Sequence, residues 1–136
     1  MGASGDLEAW DRVARTYAEV VGQASDSIYS RFEPFLWRHV GDLSGLCLLD
    51  VGCGHGWLAE LCRVRGATVV GVDGSGELLA IARARYPEVA FERADLTEGL
   101  PESVASQTKQ PRWRLATVEK QKRPDPRASV HSLEVM

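Results

Sequence analysis

Three glycines and an aspartate are the residues whose types and spacing indicate chemistry in this sequence. Gly52, Gly54 and Gly56 stand close together, and Asp73 follows them by about 20 positions. Glycine lets a chain reverse sharply and lets a ligand touch the backbone, because no Cβ stands in the way. An acid at this distance is typical of a carboxylate that binds both hydroxyls of a ribose. The pattern predicts a nucleotide site; the alternative is that the glycines only shape a turn.

Two short apolar runs flank the glycines and predict the strands that position them. The first run, residues 46–51, ends just before Gly52, and the second, residues 68–73, ends at Asp73. Continuous apolar runs of this length suit strands that are buried on both faces of a parallel sheet. The further elements predicted after them are a helix over 57–65, a second helix that Ser75 can cap and Pro87 ends, and an edge strand over 89–94. The resulting order is β-α-β-α-β, which is typical of a doubly wound sheet.

Residues 1–45 are predicted to form a helical cap before this core. Apolar residues recur at helical spacing over 6–21 and again over 28–40. Pro34 falls inside the second stretch, where it must kink the helix or lie in its first turn. Trp10 and Trp37 are interpreted as residues of the hydrophobic core.

The composition changes near Pro101, where the predicted core of residues 46–100 ends. Residues 101–136 are more basic than the preceding part and are rich in Pro, Gln, Ser and Lys. Such a segment buries too little apolar surface to order itself. Residues 101–136 are therefore predicted to be a polar tail, disordered from about Ser103. The alternative is that residues 112–119 form a fourth strand at a half-solvated edge.

The glycine spacing discriminates between nucleotides. In the dinucleotide pattern G-x-G-x-x-G or A, a third small residue packs the helix closely against the strand. This chain has Trp57 at that position, and its third glycine, Gly56, comes one place earlier. The spacing disfavours an NAD-dependent oxidoreductase.

The segment from Leu48 to Leu96, LLDVGCGHGWLAELCRVRGATVVGVDGSGELLAIARARYPEVAFERADL, resembles the class I methyltransferases that use S-adenosyl-L-methionine (SAM). The resemblance implies an α/β fold, namely a partial Rossmann-like doubly wound parallel sheet with strands 1–3 of the methyltransferase fold. It also implies SAM as the cofactor and methyl transfer to an unknown acceptor, expected to be a small molecule. The residues that it assigns to SAM are Tyr17, Asp50, Gly52, Cys53, Gly54, Gly56, Asp73, Gly74, Ser75, Asp95 and Leu96.

These residues have different implied roles. By the resemblance, the loop from Gly52 to Gly56 cradles the methionine part of SAM, and Asp50 supports the loop from behind. Tyr17 reaches the SAM carboxylate from the cap, although its place on an apolar helical stripe equally predicts core packing. His55 is expected to be a solvated loop residue. Neither a catalytic base nor a metal site is predicted.

The resemblance implies that residues at the ends of the second and third strands bind the nucleoside part of SAM. Asp73 is expected to bind the ribose, with helix capping as the alternative. Gly74 and Ser75 are expected to lie along the adenosine. Asp95 is expected to accept the adenine amino group, with an ordinary turn as the alternative, and the Leu96 N–H is expected to meet the ring.

The complete family fold has a seven-stranded sheet in the order 3-2-1-4-5-7-6, and the sequence predicts only one flank of it. Strand 1 would then be an exposed edge that invites self-association or a partner chain. Three explanations remain open: a truncated or frameshifted product, a half-domain that pairs with another chain, or a small domain with its tail as fourth strand. The chain is expected to be impaired as a methyltransferase. The alternative is a non-catalytic half-domain that binds SAM or a partner.

Bulk composition excludes several other classes. The net charge of −3 and the even mixture of charges predict neither a nucleic-acid partner nor a membrane surface. The N-terminus lacks the basic and apolar regions of a signal peptide. Three cysteines without metal-ligand spacing favour a reducing, cytoplasmic location.

Overall fold

The computed structural model describes residues 3–21, 28–109 and 113–117 of the chain. Short apolar runs form its strands and amphipathic stretches form its helices, close to the positions that the sequence predicts. In chain order the elements are α1 (Ala3–Val21), α2 (Ile28–Val40), β1 (Cys47–Val51), α3 (Trp57–Val64), β2 (Thr68–Asp73), α4 (Gly76–Arg85), β3 (Ala90–Arg93), α5 (Glu102–Thr108) and β4 (Trp113–Thr117).

The described strands form a parallel sheet in the order β3-β2-β1-β4. β1 lies in its interior, with Cys47 in register with Thr68 of β2 on one side and with Trp113 of β4 on the other. Helices link the strands, because parallel neighbours need a crossover connection. The predicted fold class, a partial Rossmann-like doubly wound sheet preceded by helices, is confirmed.

Apolar side chains cover both faces of the sheet, as the continuous runs predict. Leu48 of β1 belongs to a cluster with α3, α4 and β3, and Leu49 belongs to a second cluster on the opposite face. The second cluster consists of Leu49, Val70, Val72 and Val104. Since Val104 lies in α5 and is 1% exposed, α5 is anchored to the sheet by burial.

The prediction of disorder from Ser103 is wrong for α5 and β4. β4 pairs with β1 over the full length of both strands, so the prediction that β1 is an exposed edge is wrong too. The physical reason is that an apolar strand with unpaired backbone N–H and C=O groups stabilises any neighbour that can pair with it. Composition alone does not measure that contribution. The rest of the predicted tail, residues 118–136, lies outside the described residues.

Helix α1 packs against helix α4, and the two helices run in the same direction. Ala14 and Ala18 are 1% exposed, and their small side chains let the helices approach closely. At the start of α4, Asp11 Oδ1 accepts a 2.5 Å hydrogen bond from Ser75 Oγ and a longer one from the backbone N–H of Glu77. At the end of α4, Arg85 donates to the carbonyl of Ala18. The cap helix is thus fastened to the core at both ends of α4.

Because Asp11 is ionisable, its contribution to the free energy of unfolding should depend on pH. The hydroxyl of Ser75, the backbone N–H of Glu77 and the charge of Arg93 hold the pKa of Asp11 below its usual 3.8. A group with a depressed pKa stabilises the folded state above pH 3.8, and this stabilisation is lost as the pH falls through the folded-state pKa. We expect Asp11→Asn to lower the free energy of unfolding by about 0.5–1 kcal/mol at pH 7, and this difference to shrink as the pH falls below 3.8. Thermal unfolding at pH 7 and below pH 3.8 measures this, and a constant difference would contradict it.

Within the described residues, no helix combines the length and the apolar character that crossing a bilayer demands.

Candidate functional site

The glycine loop connects β1 to α3 at the carboxyl edge of the sheet. Gly52, Gly54 and Gly56 have φ angles of 74°, 58° and 85°, a region that L-residues with side chains rarely adopt. The backbone N–H groups of Gly52 and Cys53 both donate to the carbonyl of Val72 in β2. A Cβ on Gly56 would lie 2.6 Å from the ring of Phe91. The loop therefore needs glycine both for its backbone angles and for close packing.

Asp73 ends β2 and links the loop to the next helix. Its carboxylate is 8% exposed and accepts hydrogen bonds from the N–H of Gly54 at 2.8 Å and the N–H of Ser75 at 2.9 Å. Ser75 itself caps α4 by accepting from the N–H of Leu78. The helix cap is thus Ser75, as predicted, and the buried carboxylate of Asp73 serves the loop as well as the start of α4.

A cleft of about 240 Å³ opens over this edge of the sheet. Residues at the carboxyl ends of β1, β2 and β3 line it. Ligands of open α/β sheets bind at this edge. Five of the residues predicted to bind SAM line it, namely Gly52, Asp73, Gly74, Asp95 and Leu96. A Cβ built on Gly52 would meet no atom within 4 Å, so the cleft is open directly above the loop.

Asp95 forms a turn with Thr97 and also lines the cleft. Its Oδ1 accepts hydrogen bonds from the backbone N–H of Thr97 at 3.0 Å and from the Thr97 hydroxyl at 2.6 Å, which is the turn geometry of the alternative interpretation. The Thr97 hydroxyl and backbone N–H keep the pKa of Asp95 below its ordinary value. The residue also lines the cleft, so the turn presents an ionised carboxylate to that space.

The remaining predicted residues are outside the lining of the cleft. Cys53, Gly54 and Gly56 are buried residues of the loop itself, and Asp50 is 3% exposed in β1. Ser75 is 0% exposed, and its hydroxyl is used by α1 and α4. Ser75 thus joins the start of α4 to α1.

Burial makes the nearby thiol of Cys62 chemically inert. Burial, with the charge of Asp50 as a second cause, raises the pKa of Cys62 to about 12. The thiolate is the reactive form of cysteine, so this side chain is a core residue and not a nucleophile.

Aromatic rings connect α1 to the glycine loop. The ring of Tyr17 lies 5.6 Å from that of His55, and the ring of Trp10 lies 5.4 Å from that of Tyr17 at 81°. His55 is 3% exposed, so the prediction of a solvated loop residue is wrong, because α1 covers it. Trp10 is 37% exposed and lines the cleft, so its assignment to the core is wrong as well. Trp37 packs against the core, as expected.

Sequence reasoning missed five residues that line the cleft. These are Asp6, Leu7, Trp10, Leu78 and Thr97. Leu7 packs directly on Gly74, where a Cβ would collide with it. The apolar spacing of α1 identifies Leu7 and Trp10 as residues that contact something, but the position of the helix over the cleft depends on its docking to α4.

Comparison with known proteins agrees with this geometry. A family model described as "Methyltransferase domain" matches residues 48–109, which include the loop, Asp73 and Asp95. Over these residues the chain matches the class I, SAM-dependent methyltransferases, in their N-terminal part. The match extends from β1 through α5, and so includes part of the segment that composition alone assigned to a tail.

Two relatives illustrate the enzymes to which the chain is similar. Over 98 residues it is 35% identical to the ubiquinone biosynthesis O-methyltransferase of Salmonella paratyphi A, covering 72% of this chain and 40% of that enzyme. Over 82 residues it is 43% identical to the trans-aconitate 2-methyltransferase of Sinorhizobium medicae, covering 54% and 32% of the two chains. The chain thus spans less than half the length of these relatives.

A solved structure shares the fold of this chain. The magnesium protoporphyrin IX methyltransferase of Synechocystis, solved with bound SAH, superposes with a TM-score of 0.59 and 20% identity. The match covers 74% of this chain and 54% of that one. At this identity the likeness concerns the arrangement of strands and helices.

Proposed function

We propose that the chain binds SAM in the cleft at the carboxyl edge of the sheet and is the donor-binding part of a SAM-dependent methyltransferase. The observation that carries this proposal is the opening above Gly52 beside the buried carboxylate of Asp73. An open surface of bare backbone accommodates the methionine part of SAM, and a carboxylate one strand away suits its ribose. Gly56 cannot cap α3 with a side chain, so the helix N-terminus is available to the SAM carboxylate.

Asp73 is suited to bind ribose while it holds the loop. An ionised carboxylate offers about four lone-pair positions, and the N–H groups of Gly54 and Ser75 occupy two of them. In this proposal the same carboxylate accepts the two ribose hydroxyls when SAM binds. Asp95 then takes the adenine amino group and the N–H of Leu96 meets the ring, as the resemblance implies.

The chemistry that SAM supplies when bound is a methyl group on a sulfonium leaving group. The protein therefore has to bind, orient and keep water away more than it has to donate or accept protons. His55 lies buried under Tyr17 at the methionine end of the site. In this proposal His55 shapes the loop, and Tyr17 borders the place where the methyl group is presented.

We further propose that these 136 residues alone are impaired in methyl transfer, and that the acceptor is a small molecule. Support comes from the relatives, in which more than half of the length lies outside the match. A non-catalytic half-domain is the second candidate. Because β4 covers β1, self-association through that strand is not part of the proposal. The buried thiols of Cys47, Cys53 and Cys62 suit a reducing cytoplasm.

Calorimetric titration with SAH, the demethylated product of SAM, and with NADH tests the donor assignment. We expect saturable binding of SAH and at least roughly 100-fold weaker binding of NADH, a difference of about 2.7 kcal/mol. The physical reason is that Trp57 begins α3 where close packing over a pyrophosphate requires a small residue. Equal affinity for the two ligands, or no heat with SAH, would contradict the proposal.

A further inference from the structure

The guanidinium of Arg93 lies against the turn between β2 and α4. Arg93 ends β3, the strand next to β2 in the sheet, and it is not among the residues that line the cleft. Its Nε donates a hydrogen bond to the carbonyl of Gly74 at 3.3 Å. A Cβ built on Gly76 would lie 3.1 Å from its Nη1. The guanidinium therefore contacts the backbone of the turn that directly follows Asp73.

The peptide unit between Gly74 and Ser75 joins this guanidinium to the carboxylate of Asp73. The carbonyl of the unit accepts from Arg93, and its N–H donates to Asp73 Oδ1 at 2.9 Å. A trans peptide unit is planar, so its C=O and N–H bonds point in opposite directions. A donor that fixes the carbonyl therefore also fixes the direction in which the N–H meets Asp73.

Gly74 makes a restraint on this peptide unit necessary. The position requires glycine, because a Cβ there would collide with Leu7 of α1. Glycine has the widest choice of backbone angles, so the peptide unit that follows it rotates more easily than its neighbours. The bond from Arg93 restrains the carbonyl side of the unit, and the bond from Ser75 Oγ to Asp11 restrains the residue on its other side.

We propose that Arg93 is a positioning residue of the donor site, which holds the carboxylate of Asp73 in the orientation that ribose binding requires. The inference rests on the proposed function, in which Asp73 accepts both ribose hydroxyls. Two neighbouring hydroxyls need both oxygens of the carboxylate in one orientation, so a rotation of the carboxylate weakens this contact. The N–H of Gly54 holds Oδ2 and the N–H of Ser75 holds Oδ1. Arg93 acts on the second of these two bonds.

The alternative is that Arg93 has a purely structural role at the start of α4. Its charge is one of the causes that lower the pKa of Asp11, so the guanidinium also stabilises the carboxylate that fastens α1. In that case loss of the guanidinium would reduce the stability of the fold. It would not change the affinity for one ligand relative to another that differs only in its ribose, and this difference separates the two roles.

Calorimetric titration of Arg93→Met with two ligands tests the inference. The ligands are SAH and its analogue without the ribose 2′-hydroxyl, and methionine preserves the apolar stem of the arginine. The matched control is Arg83→Met. Arg83 is likewise exposed and likewise donates to a backbone carbonyl, that of Phe91 at 3.1 Å, but neither of these two residues lines the cleft. Thermal unfolding of each variant reports its fold.

We expect the unaltered chain to bind SAH about 10-fold more tightly than the deoxy analogue, because one hydrogen bond to a charged group is lost. Arg93→Met should bind SAH about 5-fold more weakly than the unaltered chain and the analogue within about two-fold of it. Arg83→Met should keep both affinities within about two-fold.

Two results overturn the inference while the proposed function stands. Arg93→Met would bind both ligands as Arg83→Met does, or it would lose affinity for both ligands by the same factor. Failure of the proposed function is seen in the unaltered chain itself, as the absence of SAH binding or of any preference for the complete ribose, and the inference then fails with it.

Discussion

Gly52→Asn should abolish measurable SAH binding, weakening it roughly 100-fold or more, which corresponds to at least about 2.7 kcal/mol. Gly52 has a φ of 74°, and space above it is open. Asparagine tolerates the left-handed region better than other residues with side chains, so the backbone should keep its path. The new side chain would then occupy the space where the methionine part of SAM is expected to lie. Calorimetry with SAH measures the loss.

Gly45→Asn is the matched control for this experiment. Gly45 also has a φ of 74°, and a Cβ there likewise meets no atom within 4 Å, but it lies in the turn before β1 and outside the cleft lining. Both variants should therefore lose the same small amount of stability, and only Gly52→Asn should lose SAH. Equal SAH affinity in the two variants would show that the ligand does not contact the loop at Gly52.

The second large effect concerns turnover: the 136-residue chain should bind SAM without transferring its methyl group to an acceptor. Holding two reactants in line is worth roughly 10⁵–10⁸ M in effective concentration. The described residues provide the donor cleft, and more than half of the length of the relatives lies outside the match. A site without its remaining walls leaves an acceptor mobile and admits water, which weakens every electrostatic contribution to the transition state.

Labelled SAM and a panel of small-molecule acceptors test this expectation. Label transfer should not exceed the control without protein, while SAH binding under the same conditions confirms an intact donor site. A full-length relative assayed in parallel shows that the conditions support methyl transfer. Acceptor-dependent transfer by the monomeric chain would show that it is complete in function.

The donor half of the site could be predicted because each of its parts depends on residues that are close together in the sequence. β2 was predicted over the residues that form it, and Ser75 was identified as the cap of α4, since a strand end, a cap and a helix start leave signals within a few positions. The clustering of Gly52, Asp73 and Asp95 then follows from the parallel sheet, which brings the carboxyl ends of neighbouring strands to one edge.

What could not be predicted depends on partners distant in the sequence. His55 looks like a solvated loop residue until Tyr17 of α1 covers it, and α1 is positioned by bonds to α4. In the same way, β4 interleaves apolar residues with Arg114 and Thr117, and its pairing with β1 is a property of β1 as much as of its own sequence. Local composition reports whether a segment could stand alone, not whether a neighbour stabilises it.

The parallel pairing of α1 with α4 has a consequence for the order in which the chain acquires its structure. Asp11 and Ser75 are 64 positions apart, and Ala18 and Arg85 are 67 apart. Synthesis produces α1 before α4, and two helices and two strands, α2, β1, α3 and β2, are made between them. Closing so long a loop has an entropic cost that contacts within one helix do not have. α1 therefore docks late although it is made early, and its apolar residues stay accessible to chaperones until α4 is made.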